Sequence, residues 1–321
     1  MTDRSIVCIS ANPALDRQLR VPVFTSGEVN RAARAIALPG GKAAHVAMSA
    51  HALGGKTFWI GFLGGAIGEE CAAELGKLGV EVIAIRTKAA TRVNVEVIED
   101  SGRITEVLEP GGAPDESERA ELLRVLSDGL RTRWKDALTV ISGSLPSGVP
   151  SDFYQPLVES ARRAGSKAFV DTSGEALRAT IPAGPSFVKP NRKEVETLLG
   201  QRLEDSAAAA RAIGEIIQRG ADSAAITLGA DGLVWSEGKG GPVWSARPPR
   251  LKAISTVGCG DATLAGFAFA SLQGWSGERA LRLAAACGAA NCLAEFEGRI
   301  SESDVQSLIP QIDVERLPSG S

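Results

Sequence analysis

Short apolar segments alternate with amphipathic ones along most of the chain, and this alternation is the feature that most limits the fold. The segments that resemble strands are residues 6–9, 57–62, 138–142, 167–171, 187–189 and 224–228. They are apolar at nearly every position, as expected of parallel strands that are buried on both faces. Helical patterns lie between them, and several end at a glycine. The sequence therefore predicts an α/β fold, a doubly wound layer sandwich around a mostly parallel sheet.

Two segments, 17–38 and 91–110, depart from this alternation. In the second, Val93, Val95 and Val97 occupy alternate positions before a Ser-Gly turn at 101–102, a pattern typical of an antiparallel hairpin. We expect these segments to form a small sheet, which is either a lid over a cleft or an edge decoration without function. Residues 1–315 are expected to form one domain, and 316–321 a tail.

The composition excludes several classes of protein. The 321 residues include 35 Lys and Arg against 38 Asp and Glu, a net charge of −3 that lacks the basic excess needed to bind nucleic acid. Apolar stretches fall short of the ~20 residues that cross a bilayer. The five cysteines include no C-x-x-C pair, which favours reduced thiols. These features predict a cytoplasmic protein with neither nucleic-acid nor membrane partners.

The most informative stretch is residues 255–267, S-T-V-G-C-G-D-A-T-L-A-G-F. Gly258 and Gly260 allow a tight turn that gathers unpaired backbone N–H groups, and the apolar run that follows supplies a helix behind them. Such a helix start favours a phosphate or phosphoryl charge. Asp261 would repel a bound phosphate, so we interpret it as a base that takes a proton from an attacking hydroxyl. The alternative is an ordinary acidic residue in a first helical turn.

Better-known nucleotide motifs do not fit. Residues 54–57 end like a phosphate-binding P-loop, but its earlier glycine would fall at Ala50. The glycine pair at 258 and 260 continues to Thr263, where a dinucleotide fingerprint needs glycine or alanine. The two histidines are six residues apart, which does not place them on one helix face for a metal. A P-loop enzyme, a nicotinamide enzyme and a histidine metal site are all disfavoured.

Eight motifs taken together resemble the ribokinase-like sugar kinases, the PfkB family. They are N-P-A-L-D at 12–16, P-G-G-K at 39–42, T-R at 91–92, S-G-S-L-P at 142–146, D-T-S-G-E-A-L at 171–177, K-P-N-R-K-E at 189–194, T-L-G-A-D-G at 227–232 and T-V-G-C-G-D at 256–261. The residues in these motifs resemble those of the subgroup that contains 1-phosphofructokinase, tagatose-6-phosphate kinase and the minor 6-phosphofructokinase. The resemblance implies a ribokinase-like three-layer sandwich with a small β-sheet lid.

The resemblance also assigns catalytic and nucleotide-binding roles. It makes Asp261 the catalytic base. The backbone N–H groups of Gly258, Cys259, Gly260 and Asp261 would form the anion hole. The residues that match ATP-binding positions are Lys189, Asn191, Thr227, Gly229 and Gly232. Asn191 and Glu194 match the family's N-x-x-E, which organises Mg²⁺ through water. Some relatives bind a monovalent cation such as K⁺ through backbone carbonyls, at positions that match Ser255 and Val257.

The acceptor site is implied in the same way. Its matching residues are Asp16, Gly40, Gly41, Lys42, His45, Arg92 and Ser142. Asp16 and the glycine backbone would meet sugar hydroxyls, and the fork-shaped guanidinium of Arg92 would reach an acceptor phosphate from the lid. Arg31 would do the same from a partner subunit, because lids of this family often pair into a homodimer. The alternative for Arg31 is a solvated surface charge.

Three positions depart from the subgroup's usual wording. Ala43 replaces a glycine and adds a methyl group beside the sugar, while His45 replaces an asparagine that contacts a hydroxyl. Cys259 replaces an alanine, and its thiol either gains reactivity from the helix start or faces the core as a small apolar group. None of these changes removes the base or the phosphate donors, so we expect activity to survive, while the choice of acceptor stays open.

The sequence therefore predicts an ATP- and Mg²⁺-dependent kinase that phosphorylates a primary hydroxyl of a ketohexose phosphate. Fructose 6-phosphate and fructose 1-phosphate come first, and tagatose 6-phosphate next. One alternative is a kinase of an unphosphorylated sugar or a nucleoside. Another is a catalytically silent sugar-phosphate sensor. The carbon that is phosphorylated, regulation by ATP and the oligomeric state stay open.

Overall fold

The computed structural model describes residues 4–318. Its strands are β1 (Ser5–Ser10), β2 (Ala14–Val21), β3 (Arg34–Gly40), β4 (Lys56–Leu63), β5 (Glu81–Arg86), β6 (Arg92–Glu99), β7 (Ile104–Leu108), β8 (Leu138–Ser142), β9 (Ala168–Asp171), β10 (Phe187–Val188), β11 (Ala224–Thr227), β12 (Leu233–Ser236), β13 (Val243–Arg247) and β14 (Asp313–Leu317). Its α-helices are α1 (Lys42–Ala52), α2 (Gly65–Lys77), α3 (Glu116–Arg131), α4 (Tyr154–Arg163), α5 (Gly174–Thr180), α6 (Arg192–Leu199), α7 (Ser206–Gln218), α8 (Cys259–Leu272), α9 (Gly277–Leu293) and α10 (Glu302–Leu308). None of the helices in this range is long and apolar enough to span a membrane.

Ten strands form the main sheet, in the order β14-β13-β12-β11-β10-β9-β8-β1-β4-β5. Neighbours from β11 to β5 are parallel, and all six strands predicted from sequence lie in this part. The last three strands are antiparallel and extend one edge. Arg316 and Leu317 pair with β13 as part of β14, so the predicted tail at 316–321 starts too early. Backbone pairing along a sheet edge fixes these two residues; 319–321 lie outside the described residues.

Helices cover both faces of the main sheet. Ile6 and Cys8 of β1 pack into a core shared with α1, α8 and α9, whereas Val7 and Ile9 pack into a second core with α3 and α4. Successive side chains of a strand point to opposite faces, so an unbroken apolar run serves both cores at once. The predicted three-layer sandwich is confirmed.

A separate four-stranded sheet, here called the lid, has the order β3-β2-β6-β7. β2 and β6 are parallel, and the outer pairs are antiparallel. The lid strands begin at Ala14 and continue to Gly40, beyond the predicted 17–38 on both sides. Gln18 of the lid donates a hydrogen bond to Glu297 (2.8 Å), which follows α9. Arg20 and Arg34 both pair with Glu295, so ion pairs join the lid to the body.

Candidate active site

The carboxyl ends of β1, β8, β9, β10 and β11 meet at one edge of the main sheet, as they must when the strands are parallel. The lid strands β2 and β6 and the starts of α1 and α8 lie at this same edge, as the contacts below show. Ligands of open parallel sheets bind in the crevice outside the carboxyl ends of the strands. We therefore take this crevice as the candidate active site.

Helix α8 begins at the predicted anion hole. Gly258 caps it in the left-handed region (φ 76°), a conformation that favours glycine. Asn291 of α9 fixes the turn, because its amide nitrogen donates to the carbonyl of Val257 (2.7 Å) while its oxygen accepts from the N–H of Gly298 (2.8 Å). The first N–H groups of an α-helix have no partner within the helix. The ammonium of Lys189 lies 3.3 Å from the point where a Cβ on Gly260 would stand, which adds positive charge beside these N–H groups.

Asp261 lies in the first turn of α8 and is buried, with 5 % of its surface exposed. Its Oδ2 is 2.9 Å from Nδ1 of His45, and Nε2 of the same ring is 3.6 Å from Oδ2 of Asp16. Sequence reasoning placed all three residues in the site. It did not predict that one imidazole lies between the two carboxylates.

Burial alone would lower the pKa of His45. The carboxylates of Asp16 and Asp261 outweigh that effect, through hydrogen bonding and charge, and raise this pKa to about 10. This rise favours the protonated ring at neutral pH.

Asp16 lies on β2, above the backbone of Gly40 at the end of β3. A Cβ on Gly40 would stand 2.2 Å from the carboxyl carbon and both oxygens of Asp16, so only glycine leaves room for this carboxylate. Asn94 of β6 donates to Oδ1 of Asp16 (2.7 Å), a contact that sequence reasoning missed. Gly41 follows as the cap of α1. The lid therefore positions Asp16 directly over the start of α1.

On the other side of the crevice, Asp171 at the end of β9 forms ion pairs with two lysines. Its Oδ1 is 3.0 Å from the ammonium of Lys42, and its Oδ2 is 2.8 Å from that of Lys189. Burial would raise the pKa of Asp171, but the two lysines outweigh it and hold this pKa below its usual range. Lys42, which was expected beside the acceptor, thus lies with the residues assigned to nucleotide and metal. Sequence reasoning did not assign Asp171 to the site. A charged residue at the carboxyl end of a buried parallel strand is nevertheless the usual signal of a site residue.

Asn191 and Glu194 form a reciprocal capping box at the start of α6. The Asn191 side chain accepts from the N–H of Glu194 (3.0 Å), and Oε2 of Glu194 accepts from the N–H of Asn191 (2.8 Å). The other oxygen, Oε1, lies 3.6 Å from the ammonium of Lys42. Within residues 4–318, no three His, Cys, Asp or Glu side chains are arranged to hold a metal alone. A single carboxylate oxygen completed by water and nucleotide oxygens nevertheless fits Mg²⁺.

The remaining nucleotide candidates lie beside this capping box. Thr227 ends β11 and forms an isolated parallel bridge with Asn191. Gly229 begins the short turn of 3₁₀-helix that follows, and Gly232 ends it. The structure thus brings Lys189, Asn191, Thr227 and both glycines to neighbouring strand ends.

Arg92 begins β6, and its guanidinium donates to the backbone oxygens of Glu109 (2.9 Å) and Asn12 (3.2 Å). It lies at the lid margin of the crevice and is half-buried. Ser142 ends β8 with a buried hydroxyl that has no partner among the described residues. Arg31 lies exposed between β2 and β3, with no hydrogen bond or ion pair to any residue of the described chain.

The candidates for a monovalent cation lie just before α8. The buried hydroxyl of Ser255 donates to Glu297 (3.3 Å) and accepts from the N–H of Val257 (3.1 Å). Because the carbonyl of Val257 already accepts from Asn291, a cation there would use its second lone pair.

The thiol of Cys259 points toward α9, where its sulfur is 3.0 Å from that of Cys292. The hydrogen bond between the two thiols raises the pKa of Cys259, and burial adds to the rise. The same hydrogen bond lowers the pKa of Cys292. These contacts favour an unreactive Cys259 thiol that faces α9, and the backbone N–H stays the part of this residue that is predicted for the anion hole.

Comparison with known proteins covers nearly the whole chain. Residues 3–298 match the pfkB family carbohydrate kinases. The chain is 30 % identical over 318 residues to a 1-phosphofructokinase of Vibrio cholerae, covering 98 % of each chain. It is 31 % identical over 307 residues to the ATP-dependent 6-phosphofructokinase isozyme 2 of Escherichia coli, covering 94 % of this chain and 97 % of that protein.

Solved structures of a phosphofructokinase are also similar to this chain over nearly its whole length. Phosphofructokinase-2 from Escherichia coli in complex with fructose-6-phosphate has a TM-score of 0.87 to this chain, and its complex with potassium has 0.88. The tetrameric inhibited form of that protein has 0.87. All three are 30 % identical, and the alignments cover 96 % of this chain and 98 % of theirs.

Proposed function

The chain belongs to the pfkB family of carbohydrate kinases, phosphotransferases with an alcohol acceptor, and from that premise we propose its substrates and mechanism. It transfers the γ-phosphoryl group of ATP to a primary hydroxyl of a ketohexose phosphate. Fructose 6-phosphate and fructose 1-phosphate are the first candidates, and tagatose 6-phosphate is the next. The names of the relatives, 1-phosphofructokinase and 6-phosphofructokinase, support this order.

One observation carries the proposal: the buried carboxylate of Asp261 lies beside the backbone N–H groups that begin α8. Asp261 takes the proton of the acceptor hydroxyl. At the same time the hydroxyl oxygen bonds to the γ-phosphorus, and the bond between that phosphorus and the leaving ADP breaks. The N–H groups of Gly258, Cys259 and Gly260, with the ammonium of Lys189, meet the charge on the transferred group. Charge spread over three phosphoryl oxygens needs such fixed donors more than it needs covalent chemistry.

The metal and nucleotide complete this arrangement. Asn191 and Glu194 would hold Mg²⁺ through water, and the ion would offset the negative charge of the ATP phosphates. Lys189, Thr227, Gly229 and Gly232 would line the nucleotide. A K⁺ ion at the carbonyls of Ser255 and Val257 stays a prediction, supported by the potassium complex of the Escherichia coli protein.

Arg92 distinguishes a sugar phosphate from a plain sugar. It lies at the crevice margin, where a phosphate could replace its two backbone acceptors with a charge-assisted pair. Arg92→Ala should therefore raise KM for a phosphorylated acceptor by about 10-fold or more, with little change for the unphosphorylated sugar. Equal losses for both acceptors would make Arg92 structural and favour a kinase of unphosphorylated sugars.

The deciding experiment is a coupled ADP-release assay over a panel of sugars and sugar phosphates, with and without Mg²⁺. Asp261→Asn is the matched control, since it keeps the shape of the side chain but removes the base. We expect it to lower kcat by about 10²-fold or more while calorimetry shows unchanged ATP binding. Binding of a sugar phosphate without any ADP release by the wild-type chain would favour the silent sensor.

We also propose a homodimer that forms through the lids. The outer parts of the lid and its loops expose large apolar side chains, including Val29 (79 % exposed), Val107 (62 %) and Leu108 (57 %). Large apolar side chains that are exposed on one small sheet and its loop favour an interaction surface. Light scattering should give a dimer mass for the wild type and a monomer for Leu108→Glu. The tetrameric form of the Escherichia coli protein makes a tetramer the competing result.

A further inference from the structure

His45 holds an unusual place in the crevice. It is 6 % exposed, and it contacts the predicted base Asp261 with one ring nitrogen and approaches Asp16 with the other. Among residues 4–318, it is the only cationic side chain within 4.0 Å of either carboxylate. Asp16 and Asp261 are themselves 3 % and 5 % exposed.

The other charged groups near the ring already have partners. They are Lys42, which pairs with Asp171 and Glu194; Lys189, which pairs with Asp171; Arg92, which binds backbone oxygens; Glu96, which accepts from Gln18; and Glu297, which accepts from Gln18 and Ser255. If His45 were neutral, the buried carboxylates of Asp16 and Asp261 would face each other across one ring, with no cationic side chain of the described residues within 4.0 Å. Such an arrangement is costly, since buried like charges cannot both stay ionised cheaply.

The contact also leaves one oxygen of the base open. His45 occupies Oδ2 of Asp261, whereas Oδ1 has no hydrogen-bond partner among the described residues. A general base must reach the proton that it removes, and the ring decides which oxygen is available.

Resting on the proposed kinase function, we infer that His45 is a positioning residue for the base. Its imidazolium holds Asp261 through Oδ2, directs Oδ1 toward the acceptor hydroxyl, and places a positive charge between the carboxylates of Asp16 and Asp261. The proton of the hydroxyl passes to Oδ1 as the new O–P bond forms, and His45 keeps its own proton throughout. His45 is therefore a fixed support and not a proton relay.

The kinetic test compares His45→Asn and His45→Gln with His51→Asn, an exposed histidine on the same helix. Both His45 variants should lower kcat by about 10- to 100-fold, the scale of a misplaced catalytic group, with KM for ATP unchanged. His51→Asn should match the wild type. If kcat is retained, or if only the acceptor KM rises, His45 contacts the sugar and does not position the base.

A spectroscopic test does not depend on turnover. The chain has two histidines, so the ¹⁵N signals of His45 are assigned by their loss in His45→Asn. At pH 8 we expect an imidazolium at His45 in the wild type, and a neutral ring in the Asp16→Asn, Asp261→Asn double variant. A neutral ring in the wild type would overturn the inference even if the enzyme is an active kinase. An imidazolium in a chain that phosphorylates no sugar would instead leave the charge assignment standing and reject the proposed function.

Discussion

The charge on His45 predicts how stability changes with pH. In the unfolded chain the imidazole has its ordinary pKa of 6.5, whereas in the folded chain Asp16 and Asp261 outweigh burial and raise it to about 10. The folded state therefore binds this proton more tightly. The stabilisation is complete below pH 6.5 and is lost as the pH rises through about 10.

The magnitude follows from these two pKa values. Between pH 7 and pH 8.5 the ring of the unfolded chain is mostly neutral, while that of the folded chain keeps its proton. The free energy of unfolding therefore falls by about 1.4 kcal/mol per pH unit. Over that interval the free energy of unfolding should fall by about 2 kcal/mol through this one group. The interval stops at pH 8.5 because burial raises the pKa of the Cys8 and Cys287 thiols, which would add a further loss near their ordinary value of 9.0.

Urea unfolding followed by circular dichroism measures this change at several pH values from 7 to 8.5. The wild type and the His51→Asn control should lose about 2 kcal/mol more than His45→Asn over the interval. His45→Asn should be less stable than the wild type at pH 7, and the difference should shrink as the pH rises. Parallel curves for all three proteins would refute the assignment of a buried imidazolium to His45.

Two further predictions concern the backbone of the acceptor site and the thiols behind the anion hole. Gly40→Ala would place a Cβ 2.2 Å from the Asp16 carboxylate, so we expect a higher acceptor KM and a loss of about 1–3 kcal/mol in the free energy of unfolding. Gly76→Ala, where a Cβ meets open space on α2, is the control, and an unchanged acceptor KM in Gly40→Ala would show that Asp16 does not need its observed position. Limited treatment with iodoacetamide should label Cys292 before Cys259, because their hydrogen bond lowers the pKa of the first and raises that of the second. If mass-spectrometric mapping finds Cys259 labelled before Cys292, the start of α8 controls the reactivity of these thiols.

The parallel core was predictable because its signal is local. Strands such as β1 and β8 are buried at every position and are therefore mostly apolar, a pattern that is visible within five or six residues. The antiparallel strands β13 and β14 lack this signal. β13 and β14 are only partly buried along the edge, so their sequences mix polar and apolar residues.

The positions of the site residues were predictable where glycine or a helix start fixes the backbone. Asp261 and Gly258 are fixed in this way by the start of α8. The contacts that long side chains make were not predictable, because they depend on partners far away in sequence. Lys42 reaches Asp171 across 129 residues, and His45 reaches Asp261 across 216.

The connectivity of the lid has a consequence for how the protein folds. The central lid pair joins Ala14 to Arg92, and the chain between these residues contributes α1, β4, α2 and β5 to the body. Closing a loop of that length in an unfolded chain has an entropic cost, which is removed once the body segments have brought the two ends together. Non-local pairings of this kind slow folding. We therefore expect the lid, and with it the position of Asp16, to form after the body, so that refolding kinetics should show recovery of core fluorescence before recovery of activity.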